Sequence, residues 1–202
     1  VSLVSVNGQP RLVQLPVPEV RATSTPDPLQ QMLVDGSAAI EGGAAVQLLD
    51  VTFTPGSAEE FGLVVRGSAD STVGTRIGIR PGNGELLVDR TQSGDTAFHD
   101  AFPSISRAPI TAGRDGSYTL QVFVDHCSVE VFANNGLATV TELIFPDPAH
   151  TSLTLYSVGD TVGATFQLTV LEQEKPDAQE FLPHLGAAPT PIPISEKNVL
   201  TP

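Results

Sequence analysis

Two short phrases carry the side chains best suited to chemistry: Asp89-Arg90, and Asp125 with Glu130. An arginine beside a carboxylate offers a fork of donors and a set of acceptors, which suits the hydroxyls of a sugar. The same groups can instead satisfy loop backbone or a neighbouring strand, as charged groups at strand ends usually do. Adjacent strand residues face opposite sides, so Asp89 and Arg90 need not pair with each other. Asp125 and Glu130 sit near the turn of one hairpin. They form either a carboxylate cluster able to grip a ligand, or a solvated hairpin end or interdomain contact. The chain has no Trp, and its two Tyr are Tyr118 and Tyr156, which weighs against a sugar platform built on large amphipathic rings.

Other combinations lack the spacing their chemistry needs. His126-Cys127 has the residue types of a nucleophile and its base, but sequence neighbours seldom hold that geometry and no third group is placed to orient them. A turn residue and a buried thiol are expected there. His99, His126, His150 and His184 show no metal-ligand spacing, and a lone Cys127 excludes an internal disulfide and a cysteine zinc cluster. Gly82-Asn83-Gly84 looks like a phosphate loop but is followed by no helix. Neither a metal nor an organic cofactor is implied, and no residue is assigned a catalytic role.

Period-two segments must position these groups. Strands are expected at Ala45 to Phe53, Phe61 to Arg66, Arg76 to Arg80 and Glu85 to Arg90. Further strands are expected at Tyr118 to Asp125, Ser128 to Ala133, Ala138 to Phe145, Leu153 to Val158 and Ala164 to Leu171. Turn chemistry separates them, as at Pro55-Gly56, Asp115-Gly116 and Asn135-Gly136. The nearest thing to a helix is one short turn over Asp27 to Leu33, after Pro26. This pattern implies an all-β, two-sheet antiparallel β-sandwich of the jelly-roll or concanavalin-like kind. One hairpin can be set in register. A loop around His126-Cys127 places Val124 opposite Val129 and Val122 opposite Val131, so both apolar rows share one face. The other face then carries Gln121, Phe123 and Asp125 beside Ser128, Glu130 and Phe132. A face with two large rings among polar groups is either covered by another layer or binds something.

The chain has 202 residues with a formal net charge of −13, and its only lysines are Lys175 and Lys197. That field repels phosphate backbones and anionic membranes, so neither nucleic acid nor membrane is an expected partner. No apolar run is long enough to span a bilayer. The start, Val-Ser-Leu-Val, reads as the middle of a longer protein.

Three phrases occur in a telling order: GELLVDRTQSG from Gly84 to Gly94, LQVFVDHCSVEVFANNG from Leu120 to Gly136, and LIFP from Leu143 to Pro146. Together they resemble the C-terminal β-sandwich of glycoside hydrolase family 32, which contains invertases, levanases and inulinases. The resemblance covers roughly residues 5 to 171, and Gln14-Leu15-Pro16-Val17-Pro18-Glu19 is similar to the family's connector. His126-Cys127 departs from it. The resemblance implies a connector over 1–20, a sandwich over 21–171 and a Pro-rich tail over 172–202. The tail is either a flexible linker or a strap using Phe181, Leu182 and Leu185. It also implies a partner, a catalytic five-bladed β-propeller. Retaining hydrolysis needs two carboxyl groups about 5–5.5 Å apart, and in the family these lie on the propeller, in phrases this chain lacks. The expected work is therefore structural support of an enzyme acting on sucrose, levan or inulin. A free-standing fructan-binding module, with Asp89, Arg90, Asp125 and Glu130 as its contacts, is the alternative. By substrate analogy an extracellular setting is expected, with a cytoplasmic one left open.

Overall fold

The structure, a computed structural model, describes residues 1–6, 8–21 and 24–171. The expected tail and its Phe181, Leu182 and Leu185 lie outside the described residues. In chain order the first strands are β1 (Ser2–Val6), β2 (Gln9–Val13), β3 (Gln30–Val34), β4 (Ser37–Ile40) and β5 (Gln47–Thr54). The middle strands are β6 (Glu60–Gly67), β7 (Thr75–Arg80), β8 (Glu85–Asp89) and β9 (Ile105–Pro109). The last are β10 (Tyr118–Val124), β11 (Ser128–Ala133), β12 (Ala138–Leu143), β13 (Ser152–Val158) and β14 (Val162–Val170).

Two six-stranded sheets form the sandwich. The first has the order β12-β11-β10-β5-β14-β3 and the second β4-β13-β6-β7-β8-β9. All their pairings are antiparallel. Alternation decides which residues go inside. Leu49, Val51 and Phe53 of β5 and Leu120, Val122 and Val124 of β10 meet Phe61, Leu63, Ile77 and Ile79 from the second sheet in one core. The Phe53 and Phe61 rings lie 5.1 Å apart, and Phe61 meets Tyr118 at 5.6 Å, stitching the sheets together. Each such fully buried ring or branched chain contributes about 1.5–3 kcal/mol.

The hairpin register argued from sequence holds: Val124 faces Val129 and Val122 faces Val131. Five strands were not anticipated. The helical turn expected over Asp27 to Leu33 is largely β3, because pairing with β14 along its length outweighs the weak local signal. The short β4 and the exposed edge strand β9 carry little alternation to read. In the expected connector, β1 and β2 form a hairpin of their own around Gly8, whose φ of +77° suits glycine. A single 3-10 turn, Pro18–Arg21, follows. The described residues 14–21 and 24–29 form a strap tied to the first sheet at Gln14 and at Asp27. Gln14 N–H donates to the Gly136 carbonyl (3.1 Å) and Asp27 N–H to the Leu168 carbonyl (2.8 Å).

Candidate functional site

Asp89 ends β8 and turns its carboxylate onto its own loop. Oδ1 accepts from the Thr91 N–H (2.9 Å) and the Thr91 hydroxyl (2.7 Å). Arg90 faces the other way and closes the seam between the sheets. Its Nε donates to Ser104 Oγ (3.0 Å), and its Nη1 meets Glu142 Oε2 (3.0 Å) and the Leu143 carbonyl (3.3 Å). The guanidinium also lies 4.2 Å over the Phe102 ring. Glu142, buried on β12, accepts a further bond from Ser106. The phrases around Asp89-Arg90 and Leu143 to Pro146 thus come together as a clasp. Beside it Phe102 stacks on Phe145, and Phe98 sits tilted on Phe102 and T-shaped to Phe145.

Asp125 sits at the exposed hairpin end and accepts from the His126 N–H (2.7 Å) and ring Nδ1 (3.0 Å). The His126 backbone bond, then its ring, hold this carboxyl below the usual range, helped by the charge of buried Arg66. Cys127 is exposed, not buried as expected, because the turn points it outward. Glu130 projects from the outer face of the first sheet, opposite Phe123. Arg90 therefore takes Glu142 as its carboxylate, and the four residues singled out from sequence do not share one cluster.

The outer faces of the two sheets hold the larger polar arrays. On the second sheet, Glu60 lies across its neighbours with its side chain only 10% exposed. Oε1 accepts from Arg76 (2.6 Å) and from the Tyr156 hydroxyl (2.8 Å), and Oε2 from Arg80 Nε (2.6 Å). Glu85 extends the ladder to Arg80 (3.6 Å) and Arg107 (3.0 Å). Burial raises the Glu60 pKa, but the bonds from Arg80 and Tyr156 and the charges of Arg76 and Arg80 outweigh it, and the net shift is downward. Burial pushes the Tyr156 hydroxyl well above an ordinary phenol, so it stays a donor. Gly78 makes the room: a Cβ there would lie 2.4 Å from Tyr156 Oη.

On the first sheet a row crosses four strands. Phe132 faces Gln121, Gln121 faces Asp50, and Asp50 faces Gln167. A second row beside it is Thr119, Thr52 and Thr165. Gln121 donates to Asp50 (2.9 Å) and Gln167 to the Asp27 carbonyl (2.9 Å). With Leu15 and Leu29 of the strap as walls, these rows floor a groove of about 380 Å³. The sequence reading named Gln121 and Phe132 on this face but missed Asp50, Thr52 and Gln167. The signal was available as the polar positions alternating through LLDVTF and FQLTV.

The profile of the family described as glycosyl hydrolases family 32 C terminal matches residues 16–172. The levanase of Bacillus subtilis (strain 168) is 34% identical over 162 residues, which is 75% of this chain and 23% of that protein. The extracellular exo-inulinase of Aspergillus awamori is 32% identical over 165 residues, 79% of this chain and 31% of that protein. A crystal structure of exo-inulinase from Aspergillus awamori superposes with a TM-score of 0.80 at 28% identity, covering 85% of this chain and 34% of that one. The chain thus spans about a third or less of the length of these relatives.

Proposed function

Because this chain belongs to the family of glycosyl hydrolase family 32 C-terminal domains, we propose that it is the non-catalytic module of a secreted fructan- or sucrose-cleaving enzyme, docked against a catalytic propeller. The observation that carries the docking is the β1–β2 hairpin. It pairs with no other strand of the described chain, and it precedes the residues matched by the family profile. Leu3 and Leu12 are directly opposed in it, 71% and 61% exposed. A lone two-stranded ribbon is marginal in water. Covering the two leucines would contribute about 3 kcal/mol or more. An upstream domain of the same polypeptide is the natural cover. The levanase and exo-inulinase relatives support the substrate class, and the word extracellular in the name of one supports the setting.

The test has two arms. Turnover of sucrose, levan and inulin by this chain alone is expected at background; enzymatic rates from the purified chain would overturn the reading. In the parent polypeptide, Leu3→Ser with Leu12→Ser is expected to lower the melting temperature of the catalytic domain and leave that of the sandwich unchanged. No change in either would remove the hairpin as the docking element.

A further inference from the structure

We infer that the groove on the outer face of the first sheet is a binding site for a short, neutral oligosaccharide of fructosyl units. This rests on the substrate class just proposed and adds a place on the module itself where such a chain is held. Three features point to a ligand of that chemistry.

The first is the row itself. Phe132, Gln121, Asp50 and Gln167 stand opposite one another across β11, β10, β5 and β14. Neighbouring strands lie about 4.8 Å apart, so the row runs about 14 Å, which suits a short chain better than a single ring. Amide and carboxylate groups in line present donors and acceptors in alternation, and the threonine row alongside adds hydroxyls that do both. Sugar hydroxyls need that mixture. The bonds from Gln121 to Asp50 and from Gln167 to the Asp27 carbonyl fix the side chains through their amide nitrogens, and an amide oxygen is an acceptor that those bonds do not use.

The second feature is charge. Among the described residues lining the groove Asp50 is the sole ionisable side chain, and the chain as a whole is strongly acidic. A phosphate or carboxylate ligand would be repelled, while one carboxylate is too few to hold a hard cation without other anionic ligands. A neutral polyol incurs neither penalty. The third feature is the walls. Leu15 and Leu29 of the strap and the Phe132 ring offer apolar surface to the C–H faces of a sugar, and the volume of about 380 Å³ falls within the range of small-ligand pockets. The strap is held on both sides of the row. On one side Thr139 donates to Gln14 Oε1 (2.7 Å), and on the other Asp27 N–H donates to the Leu168 carbonyl (2.8 Å). The groove is therefore built before any ligand arrives.

The test is calorimetric titration of short levan- and inulin-derived oligosaccharides into the whole chain, with malto-oligosaccharides as the comparison. Thr52→Val with Thr165→Val removes two hydroxyls at nearly constant shape, and Gln121→Ala removes an amide. Each is expected to weaken fructan binding about tenfold or more while thermal unfolding stays near that of the parent chain. Fructan binding unaltered in both variants would overturn the inference. So would an absence of heat with every fructan, or equal heat with malto-oligosaccharides. None of these outcomes touches the docking proposal, whose readout is the paired melting temperatures of the Leu3 and Leu12 variant.

Discussion

The two outer faces of this sandwich both carry rows of polar side chains and use them in opposite ways. On the second sheet Glu60 is saturated by Arg76, Arg80 and Tyr156, and glycine beneath them lets the side chains lie flat. That face spends its polarity on itself. On the first sheet Gln121 bonds Asp50 and Gln167 bonds the strap, and a groove lies open above the row. The contrast teaches that residue type alone does not mark a binding face. What matters is whether the polar groups are covered by one another or floor a groove that a ligand can enter.

That contrast can be broken most directly at Glu60. Glu60→Ala leaves two arginines without their carboxylate and is expected to cost about 3 kcal/mol, the low end for a buried pair because Arg76 and Arg80 are partly solvated. Asp50→Ala on the opposite face is expected to cost about 1 kcal/mol. Equal losses in denaturant melts would erase the distinction. The glycines sharpen it further. Gly78→Ala drives a Cβ into Tyr156 and is expected to cost about 1–3 kcal/mol. Gly163→Ala on the first sheet meets Thr54 Cβ at an ordinary 3.6 Å, and its effect should stay within about 0.5 kcal/mol.

Acid should act on the second sheet through Glu60. Its folded pKa is depressed, so its contribution is fully present above the unfolded carboxyl value of about 4.3 and is lost as pH falls through the lower folded value. The stability gap between the parent chain and Glu60→Gln should accordingly narrow on acidification. A gap independent of pH would show that the carboxylate charge is not what holds the ladder. Gln121→Ala removes the same lateral bond as Asp50→Ala and is expected to cost no more than about 1 kcal/mol, although it also removes a groove contact.

Much of the architecture was legible because alternation of period two is a local property. The hairpin through His126-Cys127 could be placed residue by residue, since one apolar row on each strand must face the same core. Of the strands that escaped notice, β3 and β4 owe their conformation to β14 and β13, far away in sequence, while β9 pairs with the preceding β8 at the sheet edge and carries little alternation of its own. The β1–β2 hairpin escaped for a different reason: Asn7-Gly8 is a hairpin signal, but the prolines nearby favoured a plain extended connector. Of the candidate site, Asp89, Arg90, Asp125 and Glu130 drew attention as charged groups in recognisable phrases. The structure gives Arg90 to Glu142, more than fifty residues on, a pairing that no local pattern announces.

The sequence by itself determined that the chain is a layered β structure, acidic, and related to the C-terminal domains of glycosyl hydrolase family 32, because composition, alternation and ordered phrases are all readable in one dimension. Only the tertiary structure decided which polar side chains are packed over one another and which floor a groove. Asp50, Gln121, Phe132 and Gln167 are scattered over more than a hundred residues and become a row only when β5, β10, β11 and β14 are hydrogen-bonded in their observed register. Strand pairing between distant segments sets that register, and it follows from the burial of the whole core, not from any one stretch of chain.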